Sequence, residues 1–401
     1  MRIIIGADFV PTPENEQLFI DGNMSAVLTG GLYDIVKSAD FSVFNLECAL
    51  TRSEERIIKA GPAIFAAPEA INGYKELGVG VLALANNHIF DCGYDGFTDT
   101  LNAIDGAKIP RVGAGLTKEE AARGYIAEIS GKKIGVYAAC EHEFSWVDDY
   151  GVGTNGFDPF DTLDEIAELK KQCDYLIVLY HGGKEHYAYP SPYLRRVTRK
   201  IVEKGADIVL CQHTHIIGAG EDYKGGKIIY GQGNFVFVKS RNEFPETWFK
   251  GMLVAVDITD DGVKYEYIPF EATETGAKLS TDPSLLEGFM ARTEEIKDEE
   301  ATARRFAEYA DETINGRYLR LATGRLIAPE DPTFNKCARV IAHFMECEVH
   351  REMIMVGVRH RLGMGKYGEV RFDENGVRIK PEATDTPSED GLLSHANPNI
   401  K

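Results

Sequence analysis

The sequence lacks an excess of basic residues and any pairing pattern among its cysteines. Its 401 residues include 44 Lys and Arg against 63 Asp and Glu, which gives a formal net charge of −19. A surface of that sign repels nucleic acid and anionic lipid, so we expect no nucleic-acid partner. The seven cysteines are scattered, odd in number and without a CxxC pair, which indicates reduced, mostly buried thiols rather than a disulfide framework.

Long apolar runs are also missing. No stretch approaches the roughly 18 uninterrupted apolar residues that a membrane span needs. The opening segment MRIIIGADF has too short an apolar run for the core of a signal peptide. We therefore expect a cytoplasmic protein without a membrane span, although a chain shortened at its start would look the same.

What the sequence contains is an alternation of strand-like and helical segments. Apolar runs of strand type occur at residues 2–8, 41–47, 79–86, 133–140, 174–181 and 206–212. Helical patterns separate several of them, at 94–107, 159–172 and 192–204. This alternation predicts an α/β core whose strands are covered on both faces. After Gly218, the segments 227–238, 251–259 and 263–272 predict antiparallel strands that extend or face the first sheet.

We predict three regions from this pattern. Residues 1–272 form a two-sheet sandwich flanked by helices, an αββα arrangement. Residues 273–380 form a mainly helical extension, because 284–315 and 332–362 carry apolar residues at three- and four-residue spacing. The extension either covers the site or makes a homodimer contact, and its pattern does not decide between them. Residues 381–401 are polar, and we expect them to be disordered.

Polar residues of metal-ligand type end or follow five of the predicted strands. They are Asp8, Asn45 with Glu47, the run Asn86, Asn87 and His88, His181, and His213 with His215. Because loops at the carboxyl ends of parallel strands converge, we expect these side chains at one edge of the sheet. Each has an ordinary alternative as a turn former, a cap or a solvated carboxylate. The His-x-His pair is the most specific signal, since adjacent imidazoles seldom help packing.

The chemistry of these residues favours a divalent metal centre. Carboxylate, carboxamide and imidazole ligands without cysteine suit zinc, manganese or iron. The predicted ligands, for one or two ions, are Asp8, Glu47, Asn87, His181, His213 and His215. Glu47 is able to bridge two ions. Asp91 follows His88 by three residues, so it can orient His88 as a general acid and favour its protonated form.

A second set of polar residues is predicted to contact the substrate. These residues are Asn45, Asn86, Glu143, Glu185 and His186. Glu143 follows the predicted strand at 133–140, and Glu185 and His186 lie in the loop after His181. For that loop, a solvated surface segment is an equal alternative.

Several sequence blocks resemble the bacterial capsule-synthesis CapA family, which is related to calcineurin-like metallophosphoesterases. The resemblance covers roughly residues 1–240. The blocks are GAD at 6–8, FNLECALT at 44–51, LALANNHIFDCGYDGFTDTL at 82–101, HGGKEHYAYPSP at 181–192, GADIVLCQHTH at 205–215 and IIYGQGNFVF at 228–237. Each block is moderately specific, and their common order is a strong signal.

The resemblance implies a metallophosphoesterase-like αββα sandwich, the six metal ligands given above, and His88 with Asp91 as the catalytic pair. Ordinary metallophosphoesterases carry a histidine where this chain has Val10, and a bridging aspartate where it offers Glu47. Two functions in the biosynthesis of a capsule or poly-γ-glutamate-type polymer stay open. One is a phosphoesterase-like hydrolase that cleaves a phosphoester or an amide-type bond in a small-molecule or polymer substrate. The other is a non-catalytic, metal- or ligand-binding assembly factor.

Overall fold

The computed structural model of the chain describes residues 1–59, 61–313 and 334–361, and the two short strands at 371–372 and 378–379. For residues 334–338 and for these two strands, only the backbone is described. The tail predicted at 381–401 lies outside the described residues. Among the described helices, each is too short or too polar to span a bilayer. The six cysteines with described side chains are free, and all but Cys173 are buried.

The described residues alternate between strands and helices, as the apolar pattern predicts. The strands are β1 Arg2–Asp8, β2 Leu28–Thr29, β3 Phe41–Asn45, β4 Ala49–Leu50, β5 Phe65–Ala66, β6 Val81–Ala83, β7 Arg111–Val112, β8 Ala114–Gly115, β9 Tyr125–Ile129, β10 Lys132–Cys140, β11 Gly153–Thr154, β12 Tyr175–His181, β13 Ile208–Gln212, β14 Gly220–Tyr223, β15 Gly226–Ile229, β16 Lys250–Thr259, β17 Gly262–Ala272, β18 Ala277–Leu279, β19 Arg371–Phe372 and β20 Arg378–Ile379. The α-helices are α1 Glu16–Ile20, α2 Met24–Val27, α3 Leu32–Lys37, α4 Ile71–Leu77, α5 Gly93–Ala107, α6 Lys118–Ala121, α7 Val147–Tyr150, α8 Asp161–Lys170, α9 Pro192–Glu203, α10 Ser284–Glu295, α11 Glu299–Thr313, α12 Phe334–Glu346 and α13 Glu348–Arg361. Short 3-10 turns occur at Pro68–Ala70 and Glu246–Phe249.

Two large sheets carry the fold. The first has eight strands in the order β2-β18-β17-β16-β1-β3-β6-β7, and the second has six in the order β14-β15-β13-β12-β10-β9. In the first sheet β1, β3, β6 and β7 run parallel, while β16, β17 and β18 pair in antiparallel fashion. In the second, β10, β12, β13 and β15 run parallel. Each sheet therefore has a parallel centre with antiparallel additions.

The alternation of side chains along the strands builds three apolar layers. Ile3 and Ile5 of β1 face Ile177 of β12 in the core between the two sheets. Ile4 points the other way, into a cluster with helices α1 to α5. Val178 likewise faces helices α8 and α9 on the outside of the second sheet. This is the predicted αββα sandwich, whose strands are apolar on both faces because each face is covered.

The later helices continue the chain beyond the sandwich. The helical pattern predicted at 284–315 forms two helices, α10 and α11, and the pattern at 332–362 includes α12 and α13. β18, which follows residue 272, still pairs in the first sheet with β17 and β2. The predicted domain boundaries stay a prediction.

One strand expectation is wrong. Of the segment 227–238, only the part within Gly226–Ile229 is a strand, and it pairs parallel to β13 in the second sheet as well as antiparallel to β14. Residues after Ile229 leave the sheet and run toward the end of β1, where the N–H groups of Phe235 and Val236 donate to Asp8 O. The segments at 251–259 and 263–272 are antiparallel strands of the first sheet, as expected.

Candidate metal centre

The carboxyl ends of the parallel strands from both sheets meet at one end of the sandwich. In the first sheet, Asp8 at the end of β1 is level with Asn45 at the end of β3. In the second sheet, His181 at the end of β12 is level with Gln212 at the end of β13. The polar residues predicted at one sheet edge therefore come from two facing sheets.

Asp8, Glu47 and His215 form a buried group whose ligand atoms lie within 4.8 Å of one another. His215 Nδ1 lies 3.3 Å from Asp8 Oδ2 and 2.8 Å from Oδ1 of Asn234. Asn45 Nδ2 donates to Asp8 Oδ1 at 2.8 Å. Burial opposes the ionisation of Asp8, but His215, His181 and Asn45 together outweigh it and lower the pKa of Asp8. Burial also disfavours a charged His215, yet Asp8 and Glu47 raise its pKa to about 9.

Glu47 is shared with a second buried group, which contains His181 and His213. His181 Nε2 lies 3.3 Å from Glu47 Oε1 and 3.0 Å from Asn87 Oδ1. Burial lowers the pKa of His181 to about 4 and that of His213 well below its usual value, which favours the neutral form of both imidazoles. Burial and the charge of Asp8 raise the pKa of Glu47 well above its usual range. We call the set Asp8, Glu47, His181, His213 and His215 the first centre.

The predicted substrate residues of the later loops lie around the first centre. Glu185 forms a further group with His213 and His215, again with ligand atoms within 4.8 Å. Glu143 Oε2 lies 3.5 Å from His213 Nε2. His186 is exposed, and its ring centroid is 6.2 Å from that of His215, which places it at the rim. Substrate contact by these residues stays a prediction.

Asn45 and Asn86 form a buried pair that we call the asparagine network. Asn86 Nδ2 donates to Asn45 Oδ1 at 3.0 Å and to Leu46 O at 2.8 Å. Asn86 Oδ1 accepts from the N–H groups of His88 and Ile89 at 3.1 and 3.0 Å. All the hydrogen-bonding positions of the Asn86 side chain are thus used inside the protein, whereas its predicted contact with substrate stays untested.

Unusual backbone conformations deliver the histidines. His213 and His215 have φ of 83° and 58°, the left-handed region that non-glycine residues seldom adopt. Such conformations cost about 1–3 kcal/mol each and collect at functional sites. After His181, a Cβ on Gly182 would lie 2.6 Å from Glu141 Cγ, so glycine is required for that approach. Gly182 thus has a packing reason.

His88 and Asp91 contact each other, as predicted, but a lysine joins them. His88 Nδ1 lies 2.7 Å from Asp91 Oδ2 and 2.9 Å from Lys59 Nζ. Lys59 also forms a buried ion pair with the other oxygen of Asp91. Asp91 favours a protonated His88, as expected, but burial and the charge of Lys59 outweigh it and lower the pKa of His88 to about 4.

Sequence reasoning assigned no role to four residues near the first centre: Lys59, Asn234, His343 and His350. Lys59 lies in a loop with no periodic pattern that would single it out. Asn234 belongs to the Gly-Asn-Phe block, which was a usable signal. His343 and His350 lie on α12 and α13, seven positions apart, and that spacing on helices was their only signal.

The residues of the first centre fit a divalent metal ion. Two atoms bound tetrahedrally to one ion at about 2.0–2.2 Å lie roughly 3.3–3.6 Å apart. Glu47 Oε1 and His181 Nε2 are 3.3 Å apart, whereas charge-assisted hydrogen bonds are about 2.7–2.9 Å long. Asp8 Oδ2, both oxygens of Glu47 and His213 Nδ1 are buried without a hydrogen-bond partner. Buried polar atoms of this kind are costly unless a ligand uses them.

The fold and these residues define a two-sheet α/β protein with a buried centre of metal-ligand type. The family model of bacterial capsule synthesis protein PGA_cap matches residues 17–239. Since this match spans more than half of the chain, the chain belongs to that family.

Two Bacillus proteins illustrate the relation. The chain is 29% identical over 256 residues to the capsule biosynthesis protein CapA of Bacillus anthracis, with 61% of each chain covered. It is 32% identical over 176 residues to the PGA biosynthesis protein CapA of Bacillus subtilis, covering 42% of this chain and 45% of that protein. The chain thus spans about three-fifths of the length of the Bacillus anthracis protein and less than half of the length of the Bacillus subtilis protein.

Solved structures give weaker likenesses. A hypothetical protein from Thermus thermophilus matches with a TM-score of 0.43 and 15% identity, over 68% of this chain and 100% of that one. A 5'-nucleotidase precursor from the same organism matches with a TM-score of 0.36 and 14% identity, over 74% of this chain and 59% of that one. At these TM-scores nothing about reaction or substrate follows.

Proposed function

We propose that the chain is a metal-dependent, phosphoesterase-like hydrolase that serves the biosynthesis of a capsule or poly-γ-glutamate-type polymer. The observation that carries this proposal is the environment of Glu47. Its carboxylate belongs to two ligand groups at once, and both of its oxygens are buried without a hydrogen-bond donor. A shared carboxylate of this kind supports two divalent ions, of zinc, manganese or iron type, rather than one.

Two sets of residues would hold these ions. Asp8 and His215 would bind one, His181 and His213 the other, and Glu47 would bridge them. Asn87 is the further ligand predicted beside His181. Bound ions of this type lower the pKa of a coordinated water and neutralise charge on a phosphoryl or tetrahedral oxyanion.

The remaining residues would position the substrate and move a proton. The negative charge of a bound phosphoester would raise the low pKa of His88, so that the imidazole, held through Nδ1 by Asp91, would take up a proton and donate it to the leaving oxygen, while Lys59 keeps Asp91 ionised and in place. Glu143, Glu185 and His186 would contact the substrate around the first centre. The names of the Bacillus relatives favour a bond of a poly-γ-glutamate-like polymer, or of a precursor, as the target.

A non-catalytic assembly factor is the second candidate, and the closure of the centre favours it. Glu47 is 0% exposed and His213 is 4% exposed. Structural metal sites are closed, whereas catalytic ones keep a position open to substrate. Two mycobacterial relatives, 28% identical over 212 residues, are named as probable polyglutamine synthesis accessory proteins.

Hydrolysis of bis(4-nitrophenyl) phosphate, with zinc, manganese and iron(II) in turn, separates the two candidates. His88→Ala should keep its metal and its fold while losing about two to four orders of magnitude in turnover, the usual contribution of a general acid. The loss should shrink for esters with better leaving groups. His360→Ala, a histidine on α13 that pairs with Asp311, is the matched control and should turn over as wild type does.

Each contrary result has a clear meaning. Equal losses across all leaving groups would assign His88 a positioning role. Metal loss from His88→Ala would make it a ligand. A metal-loaded wild type that hydrolyses no phosphoester or γ-glutamyl amide would favour the assembly factor.

A further inference from the structure

The helices α12 and α13 bring two histidines to the sandwich, beyond the predicted ligand set. His343 lies on α12 and His350 on α13, with Cys347 between the two helices. Their ring centroids are 4.5 Å apart, and together with Glu143 they offer ligand atoms within 4.8 Å of one another. We propose that Glu143, His343 and His350 form a further metal site, which binds zinc or a similar divalent transition metal and ties α12 and α13 to the loop after β10.

Independent contacts fix the position of this cluster. The backbone N–H of His142, next to Glu143, donates to Glu348 Oε2 at 2.8 Å. The Cys347 thiol donates to Glu141 Oε2 at 3.8 Å, and Cys347 is buried. The junction between the two helices is therefore held to the same loop that carries Glu143, without any contribution from the three proposed ligands.

The three side chains are spaced as metal ligands rather than as a hydrogen-bonded pair. Glu143 Oε1 lies 3.3 Å from His343 Nε2, which matches the roughly 3.3–3.6 Å expected between two tetrahedral ligands. A charge-assisted hydrogen bond would be shorter, at about 2.7–2.9 Å. His343 Nδ1 is buried without a hydrogen-bond partner. The distance between Glu143 Oε1 and His343 Nε2 therefore fits two ligands of one ion better than a hydrogen bond.

Burial prepares His343 as a ligand. His343 is 5% exposed and Glu143 is 8% exposed. The Phe144 ring stacks on the imidazole with centroids 4.5 Å apart, and Phe144 itself is held in a left-handed conformation with φ of 60°. Burial and the stacked ring thus hold the imidazole beside Glu143.

The ligand types select the class of ion. Two imidazoles and one carboxylate form a set that zinc uses in proteins, and that iron(II) and related ions also accept. Calcium and magnesium prefer oxygen ligands, so two nitrogens among three ligands disfavour both. The site therefore suits a zinc-like ion with a coordination position left over.

The carboxylate of Glu143 lies between this site and the first centre. Its Oε2 is 3.5 Å from His213 Nε2, while its Oε1 faces His343. An ion held by the two helical histidines would therefore fasten α12 and α13 beside the first centre. This proposal does not depend on hydrolysis, because it concerns how the extension is attached.

Zinc content after equilibrium dialysis tests the site. His343→Ala and His350→Ala should each bind about one zinc fewer than wild type, while the control His360→Ala should bind as much as wild type. The same series in a His215→Ala background, where the first centre is weakened, separates the two sites. There the zinc that remains should disappear when His343→Ala is added.

Equal zinc content in wild type and both site variants would overturn the proposal. So would the loss of all bound metal from His343→Ala, since the cluster would then be part of the first centre. If His343→Ala fails to give a native circular dichroism spectrum, His343→Gln keeps most of the side-chain volume and should show the same deficit of about one zinc. An inactive enzyme would change none of these outcomes, so the proposed function and this site fail independently.

Discussion

The asparagine network and the first centre are equally buried, but they differ in whether hydrogen bonds use their polar atoms. In the network, Asn86 makes four hydrogen bonds inside the protein. In the first centre, Glu47 has no hydrogen-bond donor and His213 Nδ1 has no partner. Because unsatisfied buried polar atoms destabilise a fold, the network contributes stability and the first centre costs it. Saturation of hydrogen bonds thus separates scaffold residues from ligand candidates.

The largest expected effect is in the first centre. His213→Ala and His215→Ala should each lose most of the bound metal and any hydrolysis, because each removes an imidazole from two of the ligand groups. Their metal-free unfolding free energies should change by less than about 2 kcal/mol, since the removed atoms satisfy few partners. Metal analysis and urea unfolding give both quantities. Full metal retention in both variants would remove the central claim.

For Asn86→Ala we expect the opposite pattern, a large loss of stability with the bound metal retained. It leaves a carbonyl oxygen, an amide oxygen and two backbone N–H groups without partners. We expect a loss of about 2–4 kcal/mol in unfolding free energy, measured in urea on metal-free protein, with metal stoichiometry retained at low temperature. Asn72→Ala is the control, because Asn72 is exposed and bonds only Ile20 O, and it should cost less than about 0.5 kcal/mol. An Asn86→Ala variant as stable as the control would erase the distinction between network and centre.

The sequence was sufficient to predict the elements that place the first centre. Asp8 and His181 end apolar runs, and those runs are strands because both of their faces are covered. What it could not supply was contact between segments far apart in the chain. Lys59 reaches Asp91 from a loop, and burial together with the charge of Lys59 lowers the pKa of His88 against the effect of Asp91.

The lack of information on contacts between distant segments also explains the other features that the sequence did not predict. His343 meets Glu143 only because of how the C-terminal helices dock, which no local pattern encodes. The strand Gly226–Ile229 is apolar whether its neighbour is parallel or antiparallel, so its pairing with β13 depends on the tertiary arrangement. Periodicity predicts which face of a segment is buried, but it does not predict the partner.

A second buried carboxylate, that of Glu352 on α13, extends the comparison to the pH dependence of stability. It accepts hydrogen bonds from Ser191 Oγ and from the Tyr193 N–H at 2.8 Å, and burial raises its pKa to about 7. Because the folded pKa lies above the usual value of 4.5, the stabilisation is complete below about pH 4.5 and is lost as pH rises through 7. We expect the unfolding free energy of the wild type to fall by at most about 3 kcal/mol as pH rises from 4.5 to 7. Thermal unfolding measured across this pH range should show a smaller fall for Glu352→Gln. An identical pH profile in both proteins would contradict this assignment.

The smallest expected effect is a change in the stability of the metal-free protein, and the sign of that change is informative. Glu47→Gln should abolish metal binding at the first centre, because a neutral amide cannot compensate two cations, and yet it should stabilise the metal-free protein by about 1 kcal/mol. The reason is that the amide removes a buried carboxylate close to Asp8 and can donate to Asp8 Oδ2, which has no partner in the metal-free protein. Urea unfolding in the presence of a chelator measures this, with Glu128→Gln, an exposed glutamate on β9, as the control that should change nothing. If the metal-free Glu47→Gln protein is less stable than wild type, then Glu47 is part of the scaffold, and the contrast between saturated and unsaturated residues does not identify the ligands.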